Sequence, residues 1–254
     1  MFKKGSGSSF FILEIWYTRL MRKLDYIPKT NIKMIHVDKS YSFGIDSILL
    51  MDFAKMRSGK TLIDIGAGSG ILALGANSLY KLKEVVAIEI QEEKARLLEE
   101  NIALNNLNNI KVINDDLNNV EIAENSYDYI ITNPPYYKIT DNISNKSEEF
   151  LISRQEKYLK LCDIFKFANK VLKDKGKLYM IHKPERMVDI FTASDNLKAK
   201  RVRFVSSTFD KKPEFILIEF VKNAKDGLKV EKPLIIYEDG HYSQEVKEIN
   251  GIEE

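Results

Sequence analysis

From residue 61 onward, short runs rich in β-branched residues alternate with longer segments whose apolar positions recur every three or four residues. This alternation predicts repeated strand-helix units on a mostly parallel sheet. The first four strands fall at 62–65, 85–89, 110–113 and 127–132, with helices at 71–79 and 91–105. A polar stretch at 139–149, dominated by Asn, Ser, Asp and Lys, reads as a mobile loop over the strand ends. An amphipathic segment over 150–172 predicts a helix stopped at Lys175-Gly176, and a strand follows at 177–181. Apolar runs at 201–205 and 215–220 predict an antiparallel pair, and the polar tail from 239 is expected to fray. The expected fold is therefore α/β: a doubly wound, mostly parallel, Rossmann-like sheet of seven strands with an antiparallel final strand pair.

Composition narrows the setting. With 254 residues, 44% of them hydrophobic, the chain can bury one sizeable core. Residues 1–20, which include Gly5-Ser6-Gly7-Ser8-Ser9, read as a flexible extension, and 59–250 as the main domain. The apolar run at 10–17 is interrupted by Glu14 and falls short of the ~20 residues that span a bilayer, so no membrane anchor is expected. A single cysteine, Cys162, leaves no intrachain disulfide or cysteine-based zinc cluster and points to a reducing, cytoplasmic compartment. His36, His182 and His241 are too scattered for a metal triad, so no metal and no acid-base role is assigned. With 39 basic against 37 acidic residues, any nucleic-acid footprint must be local.

Two motifs carry chemistry. Asp64-Ile65-Gly66-Ala67-Gly68-Ser69-Gly70 sets three glycines at alternate positions between a strand and a helix, so the backbone can turn tightly and approach a ligand. The spacing differs from the dinucleotide fingerprint, and Asp64 suits the ammonium of a methionine moiety, which favours S-adenosylmethionine over NAD. Glu89 ends the second strand, where a carboxylate can accept from both ribose hydroxyls. At the end of the third strand Asp116 can accept from the adenine amino group, while Leu117 or Ile90 packs on the ring.

The second motif, Asn133-Pro134-Pro135-Tyr136, follows the fourth strand. A planar amine or amide nitrogen is a poor nucleophile until its N–H bonds are held out of the π-plane. The Asn133 carboxamide oxygen and the Pro134 carbonyl are two acceptors on a stiff loop that could hold them so, and Tyr136 offers a stacking face. All these residues fall on the carboxyl edge of the expected sheet.

On these motifs the chain resembles a class I S-adenosylmethionine-dependent methyltransferase that modifies amino groups. Ser42-Phe43-Gly44-Ile45-Asp46-Ser47-Ile48-Leu49-Leu50 and His182-Lys183-Pro184-Glu185-Arg186-Met187-Val188-Asp189-Ile190 make it similar to the bacterial tRNA1(Val) adenine-37 N6-methyltransferase family. The resemblance implies N6-methylation of adenosine 37 in a valine tRNA, an N-terminal segment over 21–58 that covers the cofactor pocket, and Phe43 as a lid residue. It departs from the family at Ser153-Arg154-Gln155-Glu156, where Gln155 replaces a histidine. In this reading a flipped-out adenine stacks on Tyr136 with N6 bonded to Asn133 and Pro134. Lys183 and Arg186, with the basic run of Lys198, Lys200, Arg201 and Arg203 and with Lys211 and Lys212, are the candidates for the anticodon stem-loop phosphates. Two alternatives stay open: a protein glutamine N5-methyltransferase, which would use the same tetrapeptide, and a noncatalytic S-adenosylmethionine-binding RNA module.

Overall fold

The structure is a computed structural model and describes residues 22–37, 44–136 and 159–252. Phe43, the loop at 139–149 and Ser153-Arg154-Gln155-Glu156 lie outside the described residues. The central sheet contains β3 (Thr61–Ile65), β4 (Glu84–Ile88), β5 (Ile110–Ile113), β6 (Tyr127–Thr132), β7 (Leu172–His182), β8 (Leu197–Ser206) and β9 (Phe215–Lys222). Their order is β8-β9-β7-β6-β3-β4-β5, parallel except for β9, which runs antiparallel to both neighbours. Two two-residue strands, β10 (Lys229–Val230) and β11 (Leu234–Ile235), pair with β8 and bring the sheet to nine strands.

The central strands are buried on both faces, and that is why they read as nearly unbroken apolar runs. Alternation along β3 sends Leu62 to one core and Ile63 and Ile65 to the other, which leaves Asp64 on the side of Leu62. That side is covered by α1 (Ile45–Phe53), α2 (Ile71–Tyr80), α3 (Glu92–Leu104) and α6 (Gln244–Asn250); α4 (Leu161–Val171) and α5 (Met187–Ala193) cover the opposite face.

Three details differ from the expectation. Leu172 already pairs with Tyr127, so β7 starts directly at the end of α4. The ladder then breaks and resumes at Tyr129 with Lys177, and Lys175 takes φ of 58°, so Lys175-Gly176 is a bulge within the strand and not a helix stop. The tail does not fray at once: β12 (Tyr237–Glu238) and β13 (His241–Tyr242) form a small hairpin, and α6 buries Val246 and Ile249. Ser243 caps α6 by accepting from the Val246 N–H at 3.3 Å.

The N-terminal hairpin, β1 (Arg22–Tyr26) and β2 (Lys33–Val37), is held to α3 by two side chains that act in place of a strand. Asn101 Oδ1 accepts from the Ile35 N–H at 2.7 Å and its Nδ2 donates to the Ile35 carbonyl at 3.2 Å. One turn later Asn105 makes the same pair of bonds with Lys33, at 2.8 and 2.7 Å. The fully buried Asn101 also donates to the Ser69 carbonyl at 3.0 Å, so it joins hairpin, helix and glycine loop. We predict that Asn101→Ala, which removes the partner of the Ile35 N–H, destabilises the fold by about 2 kcal/mol in urea denaturation. Amide exchange at Ile35 should accelerate more than at Ile63 in the sheet centre.

Candidate active site at the carboxyl edge of the sheet

The glycine loop is shaped by the end of β4. The Ile88 carbonyl accepts from the Gly66 N–H at 2.9 Å and the Ala67 N–H at 3.0 Å. Gly66, Gly68 and Gly70 have φ of 72°, 57° and 99°, in the left-handed region that costs other residues free energy. At Gly70 a Cβ would also lie 2.2 Å from Leu98 Cδ1, whereas at Gly68 it would meet no atom within 4 Å. Gly68 thus faces open space at the crest of the loop.

Glu89 follows β4 and is buried, yet both carboxylate oxygens are held: Oε2 accepts from the Gly68 N–H and Oε1 from the Gln91 N–H, each at 2.8 Å. Each oxygen keeps a second lone pair for a ligand hydroxyl. Asn114 supports this end by donating from Nδ2 to the Glu89 carbonyl at 2.7 Å.

Asp64 is 0% exposed, and neither of its carboxylate oxygens has a hydrogen-bond partner. Burial pushes its carboxyl up to about 8; the nearby Ala73 backbone N–H, which falls outside hydrogen-bonding geometry, acts against that shift by its dipole, and the Glu89 carboxylate adds to it. Asp116 Oδ1 caps the short turn at Leu117–Asn119, accepting from the Asn118 N–H and Nδ2 at 2.9 Å. Leu117 points into the core at 5% exposure, while Ile90 stays 37% exposed beside Glu89.

The acceptor side lies at the end of β6. Thr132 is fully buried and donates to the Ile65 carbonyl at 2.8 Å, which clamps the strand end to the root of the glycine loop. Asn133 Nδ2 donates to Ser47 Oγ at 3.0 Å, and Tyr136 Oη lies 2.6 Å from both Asn133 Oδ1 and Asp46 Oδ2. Pro134 is buried; Asn133 and Tyr136 are half-buried. The Tyr136 ring packs at 5.7 Å from Phe215 and edge-on at 5.6 Å from His182. Lys183 Nζ sits over these rings, 4.1 Å from the Phe215 centroid and 5.4 Å from that of Tyr136. Burial, reinforced by the Arg186 guanidinium, pushes His182 down to about 4, and its Nδ1 accepts from the Lys183 N–H at 2.8 Å. His182 is therefore a neutral wall of the site near pH 7.

Of these, Asp46, Ser47, His182 and Phe215 received no site role from sequence reasoning. Asp46 and Ser47 lie in the segment 42–50 and His182 opens the segment 182–190, but neither segment shows by itself that these side chains, with Phe215, meet Asn133 or Tyr136 at the sheet edge. The basic candidates are placed less uniformly than expected. Arg201 and Arg203 do share one face of β8, but it is the inner face. Arg201 donates to the Phe53 carbonyl, stacks 4.0 Å from the Phe53 centroid and lies 3.6 Å from Glu231. Arg203 bonds Glu245 at 2.7 Å and the Lys232 carbonyl at 3.0 Å. Lys200 Nζ is taken up by the carbonyls of Lys225, Asp226 and Gly227. Arg186, 13% exposed at its side chain, pairs with Asp189 at 2.9 Å. Lys183 touches the acceptor loop, its Nζ lying over the Tyr136 ring.

A doubly wound sheet with this strand order, and with a glycine loop and two acidic side chains at one edge, defines a Rossmann-like, S-adenosylmethionine-dependent methyltransferase. The family model of the methyltransferase small domain matches residues 41–199, more than half of the chain, and the chain belongs to that family. A curated relative from Tolumonas auensis, a "tRNA1(Val) (adenine(37)-N6)-methyltransferase", is 28% identical over 84% of this chain and 91% of its own length. One of the same name from Haemophilus influenzae is 27% identical over 84% and 92%. Among solved structures, a predicted O-methyltransferase from Agrobacterium tumefaciens superposes with a TM-score of 0.66 at 18% identity, covering 81% of this chain and 95% of that one. TYW2 of P. horikoshii in complex with MeSAdo gives 0.57 at 16%, covering 80% and 72%.

The residues present fit S-adenosylmethionine on two structural grounds: the unpartnered Asp64 carboxyl beneath the loop, and open space over Gly68 beside the remaining lone pairs of Glu89. Asp64 also generates a prediction in which stability and binding oppose each other. Its folded pKa lies above the unfolded value, so the native state holds a proton that the unfolded chain has lost, and stability falls as pH rises from about 4 to about 8. Ligand-free Asp64→Asn should therefore melt higher than wild type, by a margin that widens over that range and then levels off. The same variant should bind S-adenosylmethionine more weakly, by about tenfold or more in calorimetry.

Proposed function

We propose that the protein transfers a methyl group from S-adenosylmethionine to N6 of an adenine in tRNA, with adenosine 37 of a valine tRNA as the target, in a cytoplasmic setting. The observation that carries this reading is the placement of Asn133, Pro134 and Tyr136 directly after β6, one strand from the glycine loop of β3. The relatives' names supply the adenine, the position and the tRNA.

In this reading the bound cofactor supplies an electrophilic methyl group, and the chain's own residues do the rest by positioning. Asp64, Gly66, Ala67, Gly68, Gly70, Glu89, Ile90 and Asp116 form the cofactor side, while Leu117 is packed in the core and leaves Ile90 to meet the adenine ring. Asn133 Oδ1 and the Pro134 carbonyl accept the amine hydrogens and turn the nitrogen lone pair out of the ring plane. Tyr136 stacks on the base, which must leave its own stack to reach the site. His182 is held down to about 4 and its Nδ1 already accepts from the Lys183 N–H, so it is a weak base, and the proton leaves to water.

The segment over 21–58 is read as the cover of the cofactor pocket; Phe43, its candidate lid residue, lies outside the described residues. Support comes from Asn101, which ties β2 to the loop carbonyl of Ser69, and from α1, which bonds Asn133. The RNA footprint centres on Lys183 next to the acceptor loop, with Arg186 behind it; Lys200, Arg201 and Arg203 are engaged by protein acceptors and contribute little to phosphate binding.

With labelled S-adenosylmethionine and unmodified tRNA, the wild-type protein should yield N6-methyladenosine on nucleoside digestion. Asn133→Ala should lower single-turnover transfer by about a hundredfold, with cofactor affinity changed by less than about threefold. Equal loss of transfer and cofactor binding would sink the role given to Asn133, and label in a protein glutamine in place of tRNA would redirect the whole reading. Lys183→Ala should weaken tRNA binding and flatten its salt dependence, whereas Lys200→Ala should leave both near wild type.

A further inference from the structure

The acceptor loop has one hydrogen for two oxygens. Tyr136 Oη is 2.6 Å from Asp46 Oδ2 and 2.6 Å from Asn133 Oδ1, and a phenol has a single hydrogen to donate. Whichever oxygen accepts it, the other faces phenolic lone pairs at hydrogen-bonding distance. A carboxylate is a stronger acceptor than a neutral amide, so the hydrogen goes to Asp46. Asn133 Oδ1 is then an acceptor in need of a donor.

We propose that Asp46 is a positioning residue for the acceptor amine: by holding the Tyr136 hydroxyl hydrogen, it keeps Asn133 Oδ1 open to accept from the amino group of the base. The inference rests on the reading that Asn133 receives a planar amine. Asp46 is well fixed for this work. It lies in the first turn of α1, and its other oxygen, Oδ1, accepts from the Ser47 N–H at 2.8 Å. Gly44 makes room for it, since a Cβ at that position would lie 2.2 Å from Asp46 Oδ1. Ser47 meanwhile accepts from Asn133 Nδ2 at 3.0 Å, which sets the opposite end of the same amide. Two successive residues of one helical turn thus orient Asn133 and Tyr136, which lie 86 and 90 positions further along the chain.

The test is a double-mutant cycle on methyl transfer at saturating cofactor. Asp46→Asn keeps size and shape but replaces the carboxylate with an amide, so the phenolic hydrogen divides between two amide oxygens and competes with the base. Transfer should fall about tenfold, with cofactor affinity within about twofold of wild type. Tyr136→Phe keeps the ring and removes the hydrogen, so adding Asp46→Asn in that background should cost nothing more. Losses that multiply, or a parallel loss of cofactor affinity, would make Asp46 a mere anchor of α1 and overturn the proposal. Should Asp46→Asn fail to fold, Asp46→Ser, which keeps an oxygen for the Ser47 N–H, goes through the same cycle. If the wild type methylates a protein glutamine and no tRNA, the functional reading fails, and the cycle on that amide decides the present inference separately.

Discussion

Four amide donors converge on two successive residues at the end of β4, and the rest of the site hangs on that convergence. The Ile88 carbonyl takes the Gly66 and Ala67 N–H groups, and the Glu89 carboxylate takes those of Gly68 and Gln91. A loop with three glycines at positive φ is costly to order, because glycine loses more backbone freedom than any other residue. The bonds to Ile88 and Glu89 offset that cost, and the close packing of Gly70 against Leu98 and Leu74 removes the slack that a wider loop would have. Anything that displaces β4 would therefore move the cofactor side and the entry into α2 together.

The acceptor side is tied to that fixed point by a short route. Thr132 binds the Ile65 carbonyl, one residue before the glycine loop, so β6 cannot slide without pulling on the loop root. From there the chain passes directly into Asn133 and Pro134, where proline fixes φ and leaves few ways to relax. The free ends of the Asn133 and Tyr136 side chains are then held by α1. Sheet on one flank and helix on the other confine the two acceptors to a narrow range of positions. Catalysis that works by orienting a weak nucleophile needs that confinement.

The parts legible in the sequence are those whose meaning is local. Asp64 through Gly70 carries its turn chemistry in its own spacing, and the proline pair after an apolar strand marks a rigid loop wherever it is folded. The strand positions were readable because buried parallel strands are uniformly apolar. What stayed hidden depends on which distant side chains meet. Asn101 and Asn105, one turn apart on a charged helix, look like ordinary polar positions until β2 is laid beside them. Lys175-Gly176 carries the local signature of a helix end, and only the pairing of Leu172 with Tyr127 shows that the strand has already begun. Arg201 and Arg203 illustrate the limit of periodicity: alternation places them on one face but does not say whether that face meets water or α1 and α6. His182 was set aside as a lone histidine because its neighbour, Tyr136, lies on a different strand end.

The distribution of charge along the edge gives its two ends different preferences. Beneath and beside the glycine loop stand Asp64 and Glu89, both buried, and among the described residues neither forms an ion pair with a Lys or Arg. Burying two carboxyls so close together destabilises the ligand-free fold, as the upward shift of Asp64 records. That cost makes sense if the missing charge arrives with the ligand, and a sulfonium that also carries an ammonium is such a ligand. At the other end Lys183 stands over Tyr136 and Phe215, a cation above an aromatic floor, which suits a base attached to a phosphate backbone. A cationic ligand and an anionic one are thereby drawn to opposite ends of the sheet edge. In the proposed reading they meet at the Asn133 amide, which bonds Ser47 Oγ and Tyr136 Oη, the latter also held by the Asp46 carboxylate.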